Sequence, residues 1–137
     1  MAISGLVITY NEEKNIGKCI DALFEVCDEV IIVDSLSADN TVKIAEEKGA
    51  KVISQKFLGD GPQRTHGLPF CKNDWILNLD ADEFLDKDAK EFILKGKYLE
   101  GNYDAFSFRV KNFLADELID FSGWYPDHKV RFFNKKT

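Results

Sequence analysis

An apolar stretch that ends in closely spaced acidic residues is the part of this sequence best suited to chemistry. Residues 75–79 form a short run of large, mostly apolar side chains, which predicts a buried strand. Asp80 and Asp82 follow on either side of the small Ala81, so the backbone can turn and bring two carboxylates together. Mg²⁺ and Mn²⁺ prefer oxygen ligands, and Mg²⁺ commonly takes one or two carboxylates together with substrate phosphates. We therefore predict a divalent cation at Asp80 and Asp82, the alternative being that these acids are turn residues.

The composition describes one folded domain and excludes some partners. The chain has 137 residues, of which 45% are hydrophobic and 31% are charged, as expected for a single globular domain with its own core. Its net charge of −6 argues against a nucleic-acid binder, and an anionic ligand would need local cations or a bound metal. The three cysteines form no CxxC pair, so we expect reduced thiols in a cytosolic protein.

The sequence shows no export or membrane-spanning signal. Its first residues lack the basic stretch and apolar run of a signal peptide. No apolar run approaches the ~20 residues that a spanning helix needs. We expect a cytoplasmic protein, with contact at the inner face of the membrane left open.

Alternating strand and helix signals in the first half of the chain predict an α/β fold. Apolar runs that end at polar residues indicate strands at 3–10, 29–34 and 51–55. Helical spacing of apolar residues indicates helices at 16–26, with Asn15 as the expected N-cap, and from 41 to about 48. This βαβαβ order with short connections predicts a mostly parallel sheet flanked by helices.

The second half of the chain is expected to be less regular. Pro62 is expected to begin a helix that runs through about residue 70, because proline is favoured in the first helical turn. Residues 87–101 are expected to form another helix. Strands are predicted at 103–113, 117–121 and 130–133, the last two antiparallel, with the aromatic segment 122–128 between them.

Polar residues cluster at or just after the first, second and fourth strands. The clusters are residues 9–12, 34–41 and 80–83. Because the carboxyl ends of parallel strands share one edge of the sheet, where such folds bind ligands, the three clusters are expected to line one cleft. Each cluster taken singly has an ordinary alternative, and Asp34 in particular could simply cap the turn after its strand.

In this order, the three clusters resemble the inverting glycosyltransferases of family 2. The motifs that carry the resemblance are Thr9-Tyr10-Asn11-Glu12-Glu13, Val33-Asp34-Ser35-x-Ser37-x-Asp39-x-Thr41 and Leu79-Asp80-Ala81-Asp82-Glu83. A Gly-Trp-Tyr-Pro segment at 123–126 and Arg-Phe-Phe at 131–133 are similar to the bacterial branch that includes lipopolysaccharide-core glucosyltransferases. The resemblance covers nearly the whole chain. It implies the GT-A fold, a nucleotide-sugar donor, most often a UDP-sugar, and inverting transfer to a saccharide or lipid-linked acceptor in cell-envelope polysaccharide synthesis.

The resemblance also implies roles for the residues at the strand ends. Thr9, Asn11 and Glu12 would lie beside the nucleotide. Asp34 would contact the base or ribose, and Asp80 would lie near the ribose or the metal. These roles are carried over by position, and the residues themselves leave them open.

The same resemblance implies roles for Asp82 and Arg64, while the roles of Trp124, Tyr125 and Arg131 are predicted from their own chemistry. Asp82 would bind the Mg²⁺ or Mn²⁺ that bridges the diphosphate, where the ion stabilises the charge of the leaving group. Arg64 matches a position that often faces the donor, an exposed helix charge being its alternative. Trp124 and Tyr125 suit a platform on which a sugar stacks, or a cover for the sheet edge. Arg131 could meet a phosphate or be an exposed strand charge.

The general base that removes the acceptor proton is unassigned. The branch places it in a His-Glu or Glu-Asp pair downstream of the Arg-Phe-Phe segment, and no such pair follows before Thr137. We expect residues 1–137 to be one catalytic domain, incomplete at its C-terminus. The alternatives are a non-catalytic nucleotide-sugar-binding module and a sugar nucleotidyltransferase. The latter needs a glycine-rich basic loop where residues 10–13 stand.

Overall fold

The computed structural model describes residues 2–108, 110–112 and 130–136, and a twisted sheet organises them. The strands are β1 (Ile3–Thr9), β2 (Glu29–Asp34), β3 (Lys51–Ser54), β4 (Trp75–Asp80), β5 (Glu83–Leu85), β6 (Ala105–Ser107), β7 (Val110–Asn112) and β8 (Val130–Asn134). The helices are α1 (Ile16–Phe24), α2 (Thr41–Glu47), α3 (Asp60–Gly67) and α4 (Lys87–Leu94), with 3₁₀ turns at Leu68–Phe70 and Lys97–Leu99.

The main sheet is mostly parallel. Among the described residues its strand order is β3-β2-β1-β4-β8-β6. Strand β1 pairs in parallel with β2 and β4, and β2 pairs in parallel with β3. Strand β8 runs antiparallel to both β4 and β6, and β5 pairs antiparallel with β7 in a separate two-stranded sheet. This arrangement confirms the predicted α/β fold with a small antiparallel C-terminal part.

The central strands are buried on both faces, as their continuous apolar runs predict. The neighbouring Leu6 and Val7 of β1 belong to different core clusters because successive side chains point to opposite faces. On one face lies α1, and on the other lies α3, which approaches the sheet closely at Gly67. A Cβ atom there would lie 2.6 Å from a methyl of Val33 and 2.7 Å from one of Leu6, so α3 can pack this tightly only with glycine.

A cluster of tilted and edge-to-face aromatic rings joins the antiparallel part to the parallel sheet. The ring of Trp75 on β4 lies 4.9 Å from that of Phe132 on β8, centroid to centroid. The ring of Tyr98 lies 5.0 Å from each of them. Such pairs contribute about 0.5–1.5 kcal/mol each beyond their buried area. They hold β8 against the first half of β4, at the end of the strand opposite Asp80.

Several predicted boundaries are wrong for local reasons. Helix α4 ends at Leu94 instead of continuing to residue 101, because Gly96 adopts a left-handed φ of +68° and a 3₁₀ turn follows. The predicted strand 103–113 is two strands in different sheets, β6 and β7. Strand β7 pairs with β5, which was not predicted because its acidic start looks like a turn.

Helix α1 ends at Phe24, earlier than the predicted residue 26, and two helix starts differ in detail from the prediction. Helix α3 begins at Asp60, two residues before Pro62, which still lies in the first turn, where no backbone donor is required. Asn15 directly precedes α1 as expected, but its side chain makes no capping hydrogen bond. The predicted strand 117–121 and the aromatic segment 122–128 lie outside the described residues. None of the described helices is long and apolar enough to cross a membrane.

Candidate functional site

A cleft of about 350 Å³ opens where the carboxyl ends of β1, β2 and β4 lie side by side. Of the predicted site residues, those that line this cleft are Thr9, Glu12, Arg64, Asp80 and Asp82. Asn11 and Asp34 are not among the lining residues: Asn11 lies in the loop after β1, and Asp34 is the last residue of β2. The structure therefore brings the three polar clusters to one edge of the sheet, through the register that pairs Thr9 with Asp34 and Ile8 with Asp80.

At the end of β2, protein groups occupy the Asp34 carboxylate, and we call this the closed end. The carboxylate of Asp34 is 1% exposed and accepts three hydrogen bonds. Thr9 Oγ1 donates to its Oδ1 at 2.7 Å, and the amide and hydroxyl of Ser37 donate at 2.8 and 2.6 Å. A buried carboxylate is tolerated when its oxygens are bonded in this way. Asp34 thus shapes the loop after β2, and its predicted contact with a base or ribose stays a prediction.

The loop after β1 takes its shape from the loop after β2. The backbone N–H of Asn11 donates to Ser37 Oγ at 2.8 Å. The side-chain Oδ1 of Asn11 accepts from the backbone N–H of Ala38, also at 2.8 Å. The amide of Glu12 donates to Thr41 Oγ1 at 2.8 Å. Asn11 itself has a φ of +51°, a conformation that asparagine adopts more readily than most residues. Asn11 therefore joins the two loops and holds Glu12 at the cleft.

The end of β4 is open to the cleft. Asp80 Oδ1 accepts from Arg64 Nη2 at 2.7 Å, and Arg64 Nε donates to Asn78 Oδ1 at 3.1 Å. The side chain of Asp80 is 39% exposed and that of Arg64 is 21% exposed. Arg64 thus lines the cleft and lies against Asp80, one of the two predicted metal ligands, and its contact with a donor stays a prediction. Ala81 and Asp82 come directly after Asp80 in the chain, and both line the cleft.

Glu83, the third acid of the motif, has a structural role. Its two carboxylate oxygens face Arg131 Nη1 and Nη2, each at 2.9 Å, and its Oε1 accepts from the Asp80 amide at 2.8 Å. The Arg131 side chain is 1% exposed, so the readings of Arg131 as a phosphate contact or an exposed charge are wrong. Burial raises the pKa of Glu83, and the Asp80 amide and the Arg131 guanidinium oppose that effect. This ion pair connects β8 to the turn that carries Asp80 and Asp82.

The cleft is crowded with negative charge. Its lining carboxylates are Glu12, Asp60, Asp80 and Asp82, and the cation among its described lining residues is Arg64. The pKa of Glu12 is raised by burial first, and then by the neighbouring charge of Asp82. Like charges held this close favour proton uptake or the binding of a cation.

The described residues offer part of a metal-ligand set. In the described part of the chain, no three histidine, cysteine, aspartate or glutamate side chains are grouped closely enough to enclose an ion. Mg²⁺ is usually held by one or two carboxylates together with waters and substrate phosphates, so a pair such as Asp80 and Asp82 fits an ion that arrives with a diphosphate.

Some residues around the cleft were missed by sequence reasoning. Tyr10 and Phe57 line it with exposed rings, and Ser35 lines it just after β2. Gln63, on α3, is completely buried behind it. A glutamine in a polar helix gives no sequence signal of burial, whereas the exposed aromatics could have been noted beside their acidic neighbours. Trp124 and Tyr125 lie outside the described residues.

Comparisons with curated proteins find glycosyltransferases. The chain is 45% identical over 143 residues to the uncharacterized glycosyltransferase RT0209 of Rickettsia typhi, covering 98% of this chain and 47% of that protein. It is 36% identical over 98 residues to the lipopolysaccharide core biosynthesis glycosyltransferase LpsC of Rhizobium meliloti, covering 68% of this chain and 36% of that protein. The chain spans less than half the length of these relatives.

Solved structures of other proteins share the fold. TarS 1-349 of S. aureus superimposes with a TM-score of 0.65 and 27% identity over 77% of this chain and 34% of that one. Glucosyl-3-phosphoglycerate synthase of Mycobacterium tuberculosis, in complex with Mn²⁺, UDP and glucosyl-3-phosphoglycerate, superimposes with a TM-score of 0.62 and 27% identity. The match covers 76% of this chain and 42% of that one. These likenesses confirm the GT-A fold. Residues 4–134 match the family described as Glycosyl transferase family 2, and the protein therefore belongs to that family.

Proposed function

We propose that this chain is the donor-binding part of a glycosyltransferase that takes a nucleoside diphosphate sugar, by preference a UDP-sugar, together with Mg²⁺ or Mn²⁺. One observation carries the proposal: an acid-lined cleft at the carboxyl edge of a parallel sheet, with Arg64 against Asp80 at its wall. A diphosphate would be repelled by these carboxylates unless a divalent cation came with it. The Mn²⁺ and UDP complex of the mycobacterial relative supports the same choice of ligands.

The residues present fit such an ion. Asp82 and Asp80 supply carboxylate oxygens on either side of Ala81, and phosphate oxygens and waters would complete the coordination. The raised pKa of Glu12 reflects the same excess of negative charge that a cation would relieve. A bound cation would stabilise the negative charge that develops on the leaving diphosphate.

The side chains around the cation have separate tasks in this proposal. Arg64, 2.7 Å from Asp80, is placed to turn its guanidinium toward a phosphate when the ion engages Asp80. Asn11 holds the loop that presents Glu12 to the donor. An acceptor hydroxyl would attack the anomeric carbon from the face opposite the leaving group, which inverts the configuration. The general base is not assigned.

The acceptor and the cellular setting are proposed on likeness alone. Similarity to LpsC supports a saccharide or lipid-linked acceptor and a role in cell-envelope polysaccharide synthesis. A lipid-linked acceptor would bring a cytoplasmic enzyme into peripheral contact with the inner face of the membrane.

Calorimetry with UDP tests the proposal. We expect UDP to bind the whole chain more tightly with Mn²⁺ than with EDTA, and Asp82→Ala to remove that difference. Asp21→Ala is the matched control, because Asp21 lies on α1 and pairs with Lys48 outside the cleft. Equal UDP affinity with and without metal would overturn the proposal.

Turnover separates an enzyme from a binding module. Release of UDP from UDP-glucose, with or without an added saccharide acceptor, would establish catalysis by this chain. Metal-dependent UDP binding without any such release would favour a non-catalytic nucleotide-sugar-binding module.

A further inference from the structure

A buried glutamine connects the segments that form one wall of the cleft. Gln63 lies on α3, directly before Arg64, and its side chain is 0% exposed. Its Nε2 donates to the backbone carbonyl of Gln55 at 2.9 Å and to Ser35 Oγ at 3.1 Å. Its Oε1 accepts from the amide of Leu58 at 3.0 Å. One carboxamide therefore bonds to the residue after β3, to the residue after β2, and to the loop before α3.

The partners determine which way the carboxamide points. The Leu58 amide can only donate, and the Gln55 carbonyl can only accept. A flipped side chain would lose both bonds inside the protein, where polar groups left without a partner are unfavourable. Gln63 consequently has one favourable orientation, and its three partners are held in one arrangement.

The segments bonded to Gln63 carry residues that face the cleft. Ser35 lines the cleft directly, Phe57 precedes Leu58, and Arg64 follows Gln63 on α3. We call Ser35, Phe57 and Arg64 the cleft wall. Phe57 is 56% exposed, so its ring has little packing of its own to hold it in place, and its loop depends on the bond at Leu58. Gln63 itself is not among the residues that line the cleft.

We propose that Gln63 is a positioning residue: by holding the cleft wall in one arrangement, it sets the affinity of the cleft for the nucleotide part of the donor. This inference rests on the proposed function, because it presupposes that a nucleotide binds there. It concerns a residue that would not touch the nucleotide. Pre-organisation of this kind raises affinity because the wall does not have to be ordered when the ligand binds.

The test combines UDP calorimetry in the presence of Mn²⁺ with amide hydrogen exchange on the whole chain. Gln63→Met keeps the approximate volume and removes all three bonds, and we expect it to raise the Kd for UDP about 5–20-fold. We also expect the Leu58 amide to lose protection while the amides of β1 and β4 keep theirs. Gln55→Met is the control, because within the described ranges the Gln55 side chain donates to the adjacent Lys56 carbonyl, away from Gln63, and the Gln55 backbone carbonyl stays available to Gln63.

A second variant and the wild type make every outcome informative. Gln63→Asn keeps the carboxamide on a side chain one methylene shorter, which cannot reach all three partners, so we expect an intermediate Kd and partial protection of the Leu58 amide. It supplies the measurement if Gln63→Met does not fold. Unchanged UDP affinity in both variants would overturn the inference, and so would a weakening accompanied by equal loss of protection throughout the sheet. If wild type does not bind UDP, the proposed function fails, and the effect of Gln63 on affinity fails with it; exchange at Leu58 then decides only whether Gln63 holds the loop.

Discussion

Strands β2 and β4 look alike in sequence, yet their ends behave differently in the folded protein. Each is an apolar run that stops at an aspartate, Asp34 in one case and Asp80 in the other. The carboxylate of Asp34 is buried and accepts three hydrogen bonds from Thr9 and Ser37. The carboxylate of Asp80 lies at a cleft, where its described side-chain partner is Arg64.

The difference shows how one sheet edge can combine a rigid part with an open part. The closed end of β2 organises the loops that carry Asn11 and Glu12, while the open end of β4 leaves carboxylates accessible to a ligand. Binding groups work best when held by a rigid surrounding structure. Mutations at the closed end should therefore act on stability, and mutations at the open end on ligand binding.

Asp34→Ala should have the largest effect on stability. Removing this carboxylate leaves the Thr9 hydroxyl and both Ser37 donors without their acceptor, which should cost about 2–4 kcal/mol of unfolding free energy. Urea denaturation followed by circular dichroism measures the loss. If Asp34→Ala instead kept its stability and lost UDP affinity, Asp34 would be a ligand contact as the family resemblance implies, and the two strand ends would not differ in kind.

Arg64→Met should affect binding more than stability. The Arg64–Asp80 ion pair is partly exposed, so its loss should cost no more than about 1 kcal/mol. Loss of the guanidinium should weaken UDP binding about tenfold in the presence of Mn²⁺, since one charge-assisted phosphate contact is removed. Calorimetry and urea denaturation of the same variant measure the two effects, and Arg64→Lys, which keeps the charge, should fall between Met and wild type. Unchanged UDP affinity in Arg64→Met would argue against a donor-facing role.

Thr9→Val should give a smaller loss at the closed end. The substitution preserves shape and removes the hydroxyl that donates to Asp34, at a cost of about 1–2 kcal/mol. Thr9→Ser retains the donor and should lose less. Denaturation midpoints compare the two variants, and a Thr9→Val variant as stable as wild type would show that the Ser37 bonds alone hold Asp34.

The three buried cysteines should be unreactive in the folded protein, including Cys19 next to the open end of β4. Cys19 lies beneath Asp80, with its Sγ 3.6 Å from the Asp80 carbonyl oxygen, and burial and then the charge of Glu83 raise its pKa. Burial also raises the pKa of Cys27, and raises that of Cys71 to about 11. Raised values keep all three as unreactive thiols at pH 8, so Ellman's reagent should label none in the folded protein and three after denaturation. Rapid labelling of Cys19 at pH 8 would show that the floor of the cleft opens.

The main sheet was largely predictable because its strands and helices carry strong local signals. Strand β2 has its predicted bounds, and β1, β3 and β4 differ from theirs by one residue. The convergence of the acidic clusters followed from the parallel order of those strands. Strand β5 was missed because three residues beginning with Glu83 carry too little local pattern, and their pairing with β7 depends on a segment more than twenty residues away.

The amino-acid sequence alone indicated the succession of strands and helices in the first half of the chain, the acid-terminated strand ends and the family resemblance, because each depends on patterns within a few neighbouring residues. Only the tertiary structure decided which carboxylates are bonded inside the protein and which face the cleft. Asp34 accepts a hydrogen bond from Thr9, and Glu83 forms a buried ion pair with Arg131. Asp80 forms a partly exposed ion pair with Arg64 at the cleft. The reason is physical: burial and pairing depend on which distant side chains arrive beside each carboxylate, and no local pattern records that.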